Sequence, residues 1–227
     1  MRDVRDVRLA GSPARSRSRV ADVVRASIDV VLALLALIVL SPVLAVVAIV
    51  VGLTSRGPVF FRQERLGRDR RPFRIYKFRT MTADNDDSEH RKYVTALLTE
   101  EVAPHGGAPG VYKLAADPRI TRVGRFLRNT SLDELPQLFN VLRADMALVG
   151  PRPALGWEVE LFPAGADLRF EVRPGITGLW QVAGRGSIDM KTALELDCEY
   201  VRTRSFLGDL RILARTVVVL FGRSVTS

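Results

Sequence analysis

The sequence predicts a mixed α/β protein: an N-terminal re-entrant membrane hairpin of helix-break-helix form, followed by a small cytoplasmic α/β domain with interfacial amphipathic helices. Val30 to Ser55 is an uncharged run of 26 residues dominated by Val, Leu, Ala and Ile, which is membrane length. Ser41-Pro42 interrupts it near the middle. Behind it, short strand-like runs and helical patterns follow one another. The 227 residues, 47% hydrophobic, suffice for one domain with a real core but not for two. The organisation therefore reads as a basic tail over 1–25, the hairpin over 26–55 and the domain over 56–227.

The hairpin rests on three arguments. A cleaved signal peptide has an apolar core of roughly 7 to 15 residues, and this run is longer. Proline at 42 removes a backbone donor and crowds the preceding turn, leaving 11 apolar residues before Ser41 and 13 after Pro42. At ~1.5 Å per residue neither half crosses a ~30 Å hydrocarbon core. Both flanks are also basic: residues 1 to 25 carry seven Arg against three Asp, and residues 56 to 79 carry nine Lys or Arg against Glu64 and Asp69. Basic flanks stay cytoplasmic, so a path entering and leaving on that side is expected, with a kinked single span as the alternative.

The net charge of +9 suits an anionic partner: nucleic acid, a membrane surface or a phosphorylated substrate. One Cys and two His build neither a disulfide nor a zinc site, and Cys198 reads as a small, partly buried apolar residue. Val59-Phe60-Phe61 and Phe73 to Arg79 read as two short strands around a Gly67-Arg68-Asp69 turn. Phe73, Ile75 and the Tyr76 ring would pack, leaving Arg74, Lys77 and Arg79 for anions or lipid headgroups. A solvated loop with a short helix around Arg91 to Glu101 is expected over 84–110. Its Asp84-Asn85-Asp86-Asp87 cluster lacks calcium-loop spacing. Leu207 to Phe221 suits an amphipathic helix on the membrane or against the core.

The most informative stretch runs from Arg125 to Leu142. Leu132, Leu135, Leu138, Phe139 and Leu142 fall on one helical face, leaving Asp133, Glu134, Gln137 and Asn140 elsewhere. Ser131 three residues before Glu134 is a capping-box pattern, although Pro136 would then sit where an early intrahelical donor is needed, so the cap falls a residue or two later. The functional reading is that adjacent carboxylates near a helix start, with Arg125 and Arg128 upstream, form a site for a phosphorylated substrate and a divalent cation. An ionised carboxylate there can also attack phosphorus. Gly150-Pro151-Arg152-Pro153 and Arg173-Pro174-Gly175-Ile176-Thr177-Gly178 resemble phosphate-handling loops, in which Arg offers a planar fork. Each alone is also an ordinary turn with a surface Arg.

These pieces resemble the bacterial sugar transferase family, the monotopic polyprenyl-phosphate phosphoglycosyl transferases, from about Ala26 to Leu220. The shared motifs are the apolar segment with Ser41-Pro42, Gly57-Pro58-Val59-Phe60, Tyr76-Lys77-Phe78-Arg79-Thr80-Met81, Asp117-Pro118-Arg119-Ile120-Thr121, Ser131-Leu132-Asp133-Glu134-Leu135-Pro136-Gln137 and the two loops just named. The resemblance implies that Asp133 is the nucleophile toward a UDP-sugar, that Glu134 supports metal or proton handling, and that Asp133 partly holds Mg²⁺ or Mn²⁺. It also implies substrate-binding roles for Lys77, Arg79, Arg128, Pro151, Arg152 and Arg173. The expected partners are a UDP-sugar, undecaprenyl phosphate and anionic lipids, with no nucleic acid and a homodimer left open. The chain resembles the minimal form of the family, without the extra upstream domain of longer members. A membrane-tethered nucleic-acid binder leaves Asp133-Glu134 unexplained, and a catalytically silent scaffold is opposed by the complete set of expected residue types.

Overall fold

The computed structural model describes residues 19–82, 91, 95, 96, 119–184 and 188–221. The acidic cluster at Asp84, most of the helix expected near Arg91, the Asp117-Pro118 pair and the start of the basic tail lie outside these residues. The described elements are α1 (Arg19–Thr54), β1 (Phe60–Leu66), β2 (Pro72–Phe78), α2 (Arg122–Thr130), a 3₁₀ helix (Leu132–Gln137), α3 (Leu138–Leu142), β3 (Ala147–Val149), α4 (Gly156–Val159), a 3₁₀ helix (Ala166–Glu171), β4 (Gly175–Thr177), α5 (Leu179–Gly184), α6 (Met190–Thr203) and α7 (Phe206–Phe221). The mixture of helix and sheet is the one expected.

α1 is continuous helix for 36 residues with Pro42 inside it, so the break expected at Ser41-Pro42 does not interrupt the helix. Pro42 has no N–H to give the Ile38 carbonyl four residues back, and the Ser41 hydroxyl donates to that carbonyl instead, at 2.8 Å. The Ser-Pro pair thus carries its own repair, which matters in lipid, where an orphaned carbonyl finds no water. Only 11% of the helix's most apolar window is buried, and Val31, Leu34, Ile38, Val39, Val46, Ile49 and Leu53 are exposed. A helix apolar all round and left largely uncovered by protein is solvated by lipid, and the protein is membrane-associated.

Two small sheets carry the domain. β1 and β2 pair antiparallel, Phe60 opposite Phe78 and Leu66 opposite Pro72. The turn between them puts Asp69 and Arg70 at positive φ. Ile75 is buried as expected, and Tyr76 takes Arg62 over its ring. The open edge of β2 is closed by a side chain: Asn140, fully buried, accepts from the Tyr76 N–H at 3.1 Å and donates to the Arg74 carbonyl at 2.7 Å. It does for that edge what a neighbouring strand would. β3 and β4 pair in parallel, Ala147 with Gly175 and Val149 with Thr177.

α1 touches the domain on both sides of Pro42. Ala33 and Leu37 share a buried cluster with Ile75, Leu138, Val141 and Met146. Val47 and Val51 share another with Phe78 and Leu127, against which Leu132 also packs. The segment carrying Asp133 and Glu134 therefore lies across α1 with one flank, Leu132, on its second half and the other, Leu138, on its first. A third cluster, with Val149, Leu179, Leu196, Tyr200 and Ile212, joins β3, α5, α6 and α7. Cys198 is buried within α6, matching its apolar reading.

Candidate active site

Asp133 and Glu134 sit on the 3₁₀ helix that packs on β2. Asp133 is 8% exposed, and the Glu134 Oε1 accepts from the Lys77 Nζ at 2.8 Å. With the two side chains 27% and 25% exposed, such a pair adds roughly 0 to 1 kcal/mol, so its value lies in fixing the two side chains beside Asp133. The expected capping box is not formed. Ser131 closes α2 in the left-handed region, φ 60, and makes no side-chain cap; Glu134 instead donates its N–H to the Ser131 carbonyl. Thr121 is the side-chain cap of α2, accepting from the Gly124 N–H. The expected single apolar face changes too, because a 3₁₀ turn holds three residues rather than 3.6. Asp133, Pro136, Gln137 and Asn140 are buried while Phe139 is 45% exposed.

Arg128 is held at the end of α2, where its Nε donates to the Thr80 Oγ1 at 2.9 Å. This needs α2 close to the end of β2, and Gly124 allows it: a Cβ there would lie 2.0 Å from the Thr80 carbonyl oxygen. Arg79, expected to stay available to anions, is instead 7% exposed. Its guanidinium donates to the Ser55 carbonyl at 2.7 Å, to the Ser55 hydroxyl and to the Pro58 carbonyl. Arg79 clamps the end of α1, because the last carbonyls of a helix lack intrahelical donors. Replacing it with Ala strands buried carbonyls at about 1 to 3 kcal/mol each. The expected result is a lower unfolding temperature in detergent; an unchanged one would contradict the clamp.

The two glycine- and proline-rich loops, separate in sequence, meet as the ends of one parallel pair. The Ala147 N–H donates to the Pro174 carbonyl at 2.8 Å, the Gly150 N–H to Thr177 at 2.9 Å and the Gly175 N–H to Pro151 at 2.9 Å. Side chains cannot enter: a Cβ on Gly175 would lie 2.0 Å from the Gly150 nitrogen. Pro151 thus acts through its carbonyl. Arg152 reaches the fully buried Glu158 at 3.5 Å. Its main chain is gripped twice, its carbonyl accepting from the Arg169 Nη2 and its N–H donating to the Asp197 Oδ2 at 3.4 Å. Arg169 and Asp197 form a buried ion pair at 2.7 Å, and burial pushes the Asp197 carboxyl up to about 6 against the pull of Arg169.

Arg173 lies beside Asp29 of α1, with Asp22, Arg68 and Arg204 around it, and burial draws its pKa down. That neighbourhood docks the start of α1: Asp22 meets Arg204 at 3.1 Å and Arg25 pairs with Asp209. The structure therefore brings Asp133, Glu134 and Lys77 together with Arg128 nearby in the same packing, and places Arg173 at the helix dock. Sequence reasoning missed Arg169, Asp197, Glu158 and Thr80. The available signal was Asp197 at helical spacing from Met190, Ala193, Leu194 and Val201, which puts a carboxylate on an apolar face.

Among the described residues no group of three or more His, Cys, Asp and Glu is arranged to hold a metal. Two adjacent carboxylates nonetheless suit Mg²⁺, which binds through one or two carboxylates and takes its remaining oxygens from substrate phosphate and water.

Fold and site define a membrane-anchored α/β protein whose carboxylate pair is packed across its own anchor. Residues 20–223 match the family described as bacterial sugar transferase, and the chain belongs to that family. It is 39% identical over 191 residues to the exopolysaccharide production protein ExoY of Sinorhizobium fredii, covering 84% of this chain and 82% of that protein. It is 37% identical over 217 residues to the undecaprenyl-phosphate galactose phosphotransferase of Salmonella typhimurium, covering 96% of this chain and 44% of the relative. With the UDP-glucose:undecaprenyl-phosphate glucose-1-phosphate transferase of Escherichia coli it shares 43% identity over 197 residues, covering 83% of this chain and 38% of the relative. The chain spans less than half the length of the latter two.

Proposed function

We propose that the protein transfers a sugar-1-phosphate from a UDP-sugar to undecaprenyl phosphate, at the cytoplasmic face of the bacterial inner membrane, as the first step of polysaccharide or glycoconjugate synthesis. The observation that carries this is the Asp133-Glu134 pair, faced by Lys77 and seated across the membrane helix. An Asp133 carboxylate oxygen attacks the β-phosphorus; the bond from that phosphorus to the bridging oxygen breaks, and UMP leaves with the electron pair. A phosphate oxygen of the polyprenyl phosphate then attacks the same phosphorus, Asp133 leaves as carboxylate, and polyprenyl diphosphosugar forms. Asp133 would hold Mg²⁺, which supplies charge neutralisation at the diphosphate. Lys77 orients Glu134 and offers a cation to the phosphates, and Arg128, held on α2 by Thr80, and Arg152, on the loop after β3, would add guanidinium groups to it.

A re-entrant path for α1, bent at Pro42 without loss of helix, is part of this reading. If α1 spanned the bilayer its two ends would lie on opposite sides, yet Arg25 pairs with Asp209 and Ser55 with Arg79 of one domain. Contacts at both ends favour entry and exit on the side of the basic flanks.

The test is UMP release by detergent-solubilised protein given Mg²⁺, undecaprenyl phosphate and a panel of UDP-sugars. Turnover with one donor, dependent on the lipid phosphate, is expected; folded protein that releases UMP from none of them would sink the reading. Lys77→Met should lower kcat/KM for the donor about 10- to 100-fold by loosening Glu134 and removing a cation from the phosphates. An unchanged value would remove Lys77 from the site.

A further inference from the structure

A cleft of about 130 Å³ opens between the Leu132–Gln137 helix, β4, α5 and α7. It is lined by Leu135, Leu138, Ile176, Val182, Val219 and Leu220, and Ser131 and Glu134 line it as well. Most of the lining is thus apolar, and Ser131 and Glu134, the residues on either side of the Leu132-Asp133 step, bring it to the carboxylate pair. Its two threonines, Thr177 and Thr216, satisfy each other at 2.7 Å, and the Gln181 amide donates to the Ile176 carbonyl at 3.2 Å, which leaves the Gln181 Oε1 as the unpaired acceptor in the lining. A nucleotide or a sugar would find few polar partners along these walls, and a hydrocarbon suits them.

The way in is also on the page. Val219 and Leu220 face the cleft, while Val217 and Val218, their neighbours on α7, are 55% and 64% exposed, as are Phe206, Leu207 and Leu210 earlier on the same helix. One helix therefore presents an uncovered apolar surface and the cleft wall side by side, the arrangement of an interfacial helix with lipid on one flank. We propose that this cleft seats the first isoprene units of the polyprenyl phosphate acceptor, running from the lipid face of α7 to a phosphate placed at Glu134 and Asp133. The proposal rests on the reaction above and assigns a lipid subsite within it. A phospholipid acyl tail or a second copy of the chain are the other occupants, and the test separates them.

The full chain carrying Val182→Trp or Val219→Trp, each shown to unfold at the wild-type temperature, is compared with wild type in two assays. One is a single turnover of UMP release from the donor without lipid; the other is the KM for undecaprenyl phosphate. Filling the cleft should leave the lipid-free UMP burst unchanged and raise the KM for the lipid at least about tenfold. Unchanged KM in both variants overturns the proposal, as does equal loss in both assays. Absence of any UMP from wild type is a failure of the reaction instead, and a second measurement then decides the site. A diazirine-bearing polyprenyl phosphate should label peptides of α5 and α7 and be displaced by undecaprenyl phosphate but not by phosphatidylglycerol. Displacement by either lipid alike, labelling elsewhere, or protection of the cleft only in a dimeric fraction contradicts it.

Discussion

Asp133→Asn should abolish turnover, with a fall in kcat on the order of 10⁴-fold or more, because the amide is neutral and cannot form the acyl phosphate. The exchange is nearly isosteric. Asp133 is 8% exposed on a short helix already held by the Glu134-Lys77 pair and by the Leu132 and Leu138 clusters, so the variant should fold and still bind donor. Glu134→Gln should cost less, because Glu134 is tied to Lys77 rather than to the reacting phosphorus. Steady-state UMP release checks both. If Asp133→Asn kept a tenth of wild-type activity, the nucleophile would lie elsewhere.

Arg169→Met should be the most destabilising of the single changes outside the carboxylate pair. Arg169 is 4% exposed and Asp197 2%, and breaking one partner from a buried ion pair leaves an uncompensated charge at about 3 to 5 kcal/mol. For a domain of this size that is a fall of roughly 10 °C in the unfolding temperature. The effect depends on pH with a fixed sign. The Asp197 carboxyl titrates at about 6 in the fold against 3.8 unfolded, so the folded state binds its proton more tightly. That contribution to stability is full below about pH 4 and is lost as pH rises through about 6. Without Arg169 the carboxyl rises further, so the deficit of Arg169→Met should be larger at pH 7.5 than at pH 5. A deficit equal at both would mean that packing against Phe162 and Phe170, over which Arg169 lies, dominates. Because the pair grips the Arg152 main chain, donor KM should rise with the loss of stability.

What could be read in the sequence was whatever a single period or a run of like residues encodes. The apolar segment became α1, the Phe73 to Arg79 alternation became β2, and Leu207 to Phe221 became α7 with one residue added. The acidic pair was visible because the motif Ser131 to Gln137 is shared with the family that the chain resembles; on its own it reads as a capping box. Its setting was not visible: helix α2 ends at Ser131 by a left-handed residue, and a 3₁₀ segment shifts which side chains are buried. The strands Ala147–Val149 and Gly175–Thr177 are too short to show a period, so nothing in the sequence indicated that the Gly-Pro-Arg-Pro loop and the Arg173 loop would lie side by side. Arg79 and Arg169 were indistinguishable from surface arginines, because their partners, Ser55 and Asp197, are 24 and 28 residues away. The Ser41 hydroxyl, bonded to the carbonyl that Pro42 orphans, is a case where local chemistry was readable and only its use in keeping the helix continuous was not.

Incubation of the purified protein with its UDP-sugar and Mg²⁺, with no polyprenyl phosphate present, followed by peptide mass analysis, tests the two-step reaction at its intermediate. A phosphosugar adduct on Asp133, formed together with one equivalent of UMP and lost when undecaprenyl phosphate is added, is the predicted result. UMP formed only when the lipid is present, with no adduct on any carboxylate, would mean direct transfer between the two substrates and would contradict the role given to Asp133.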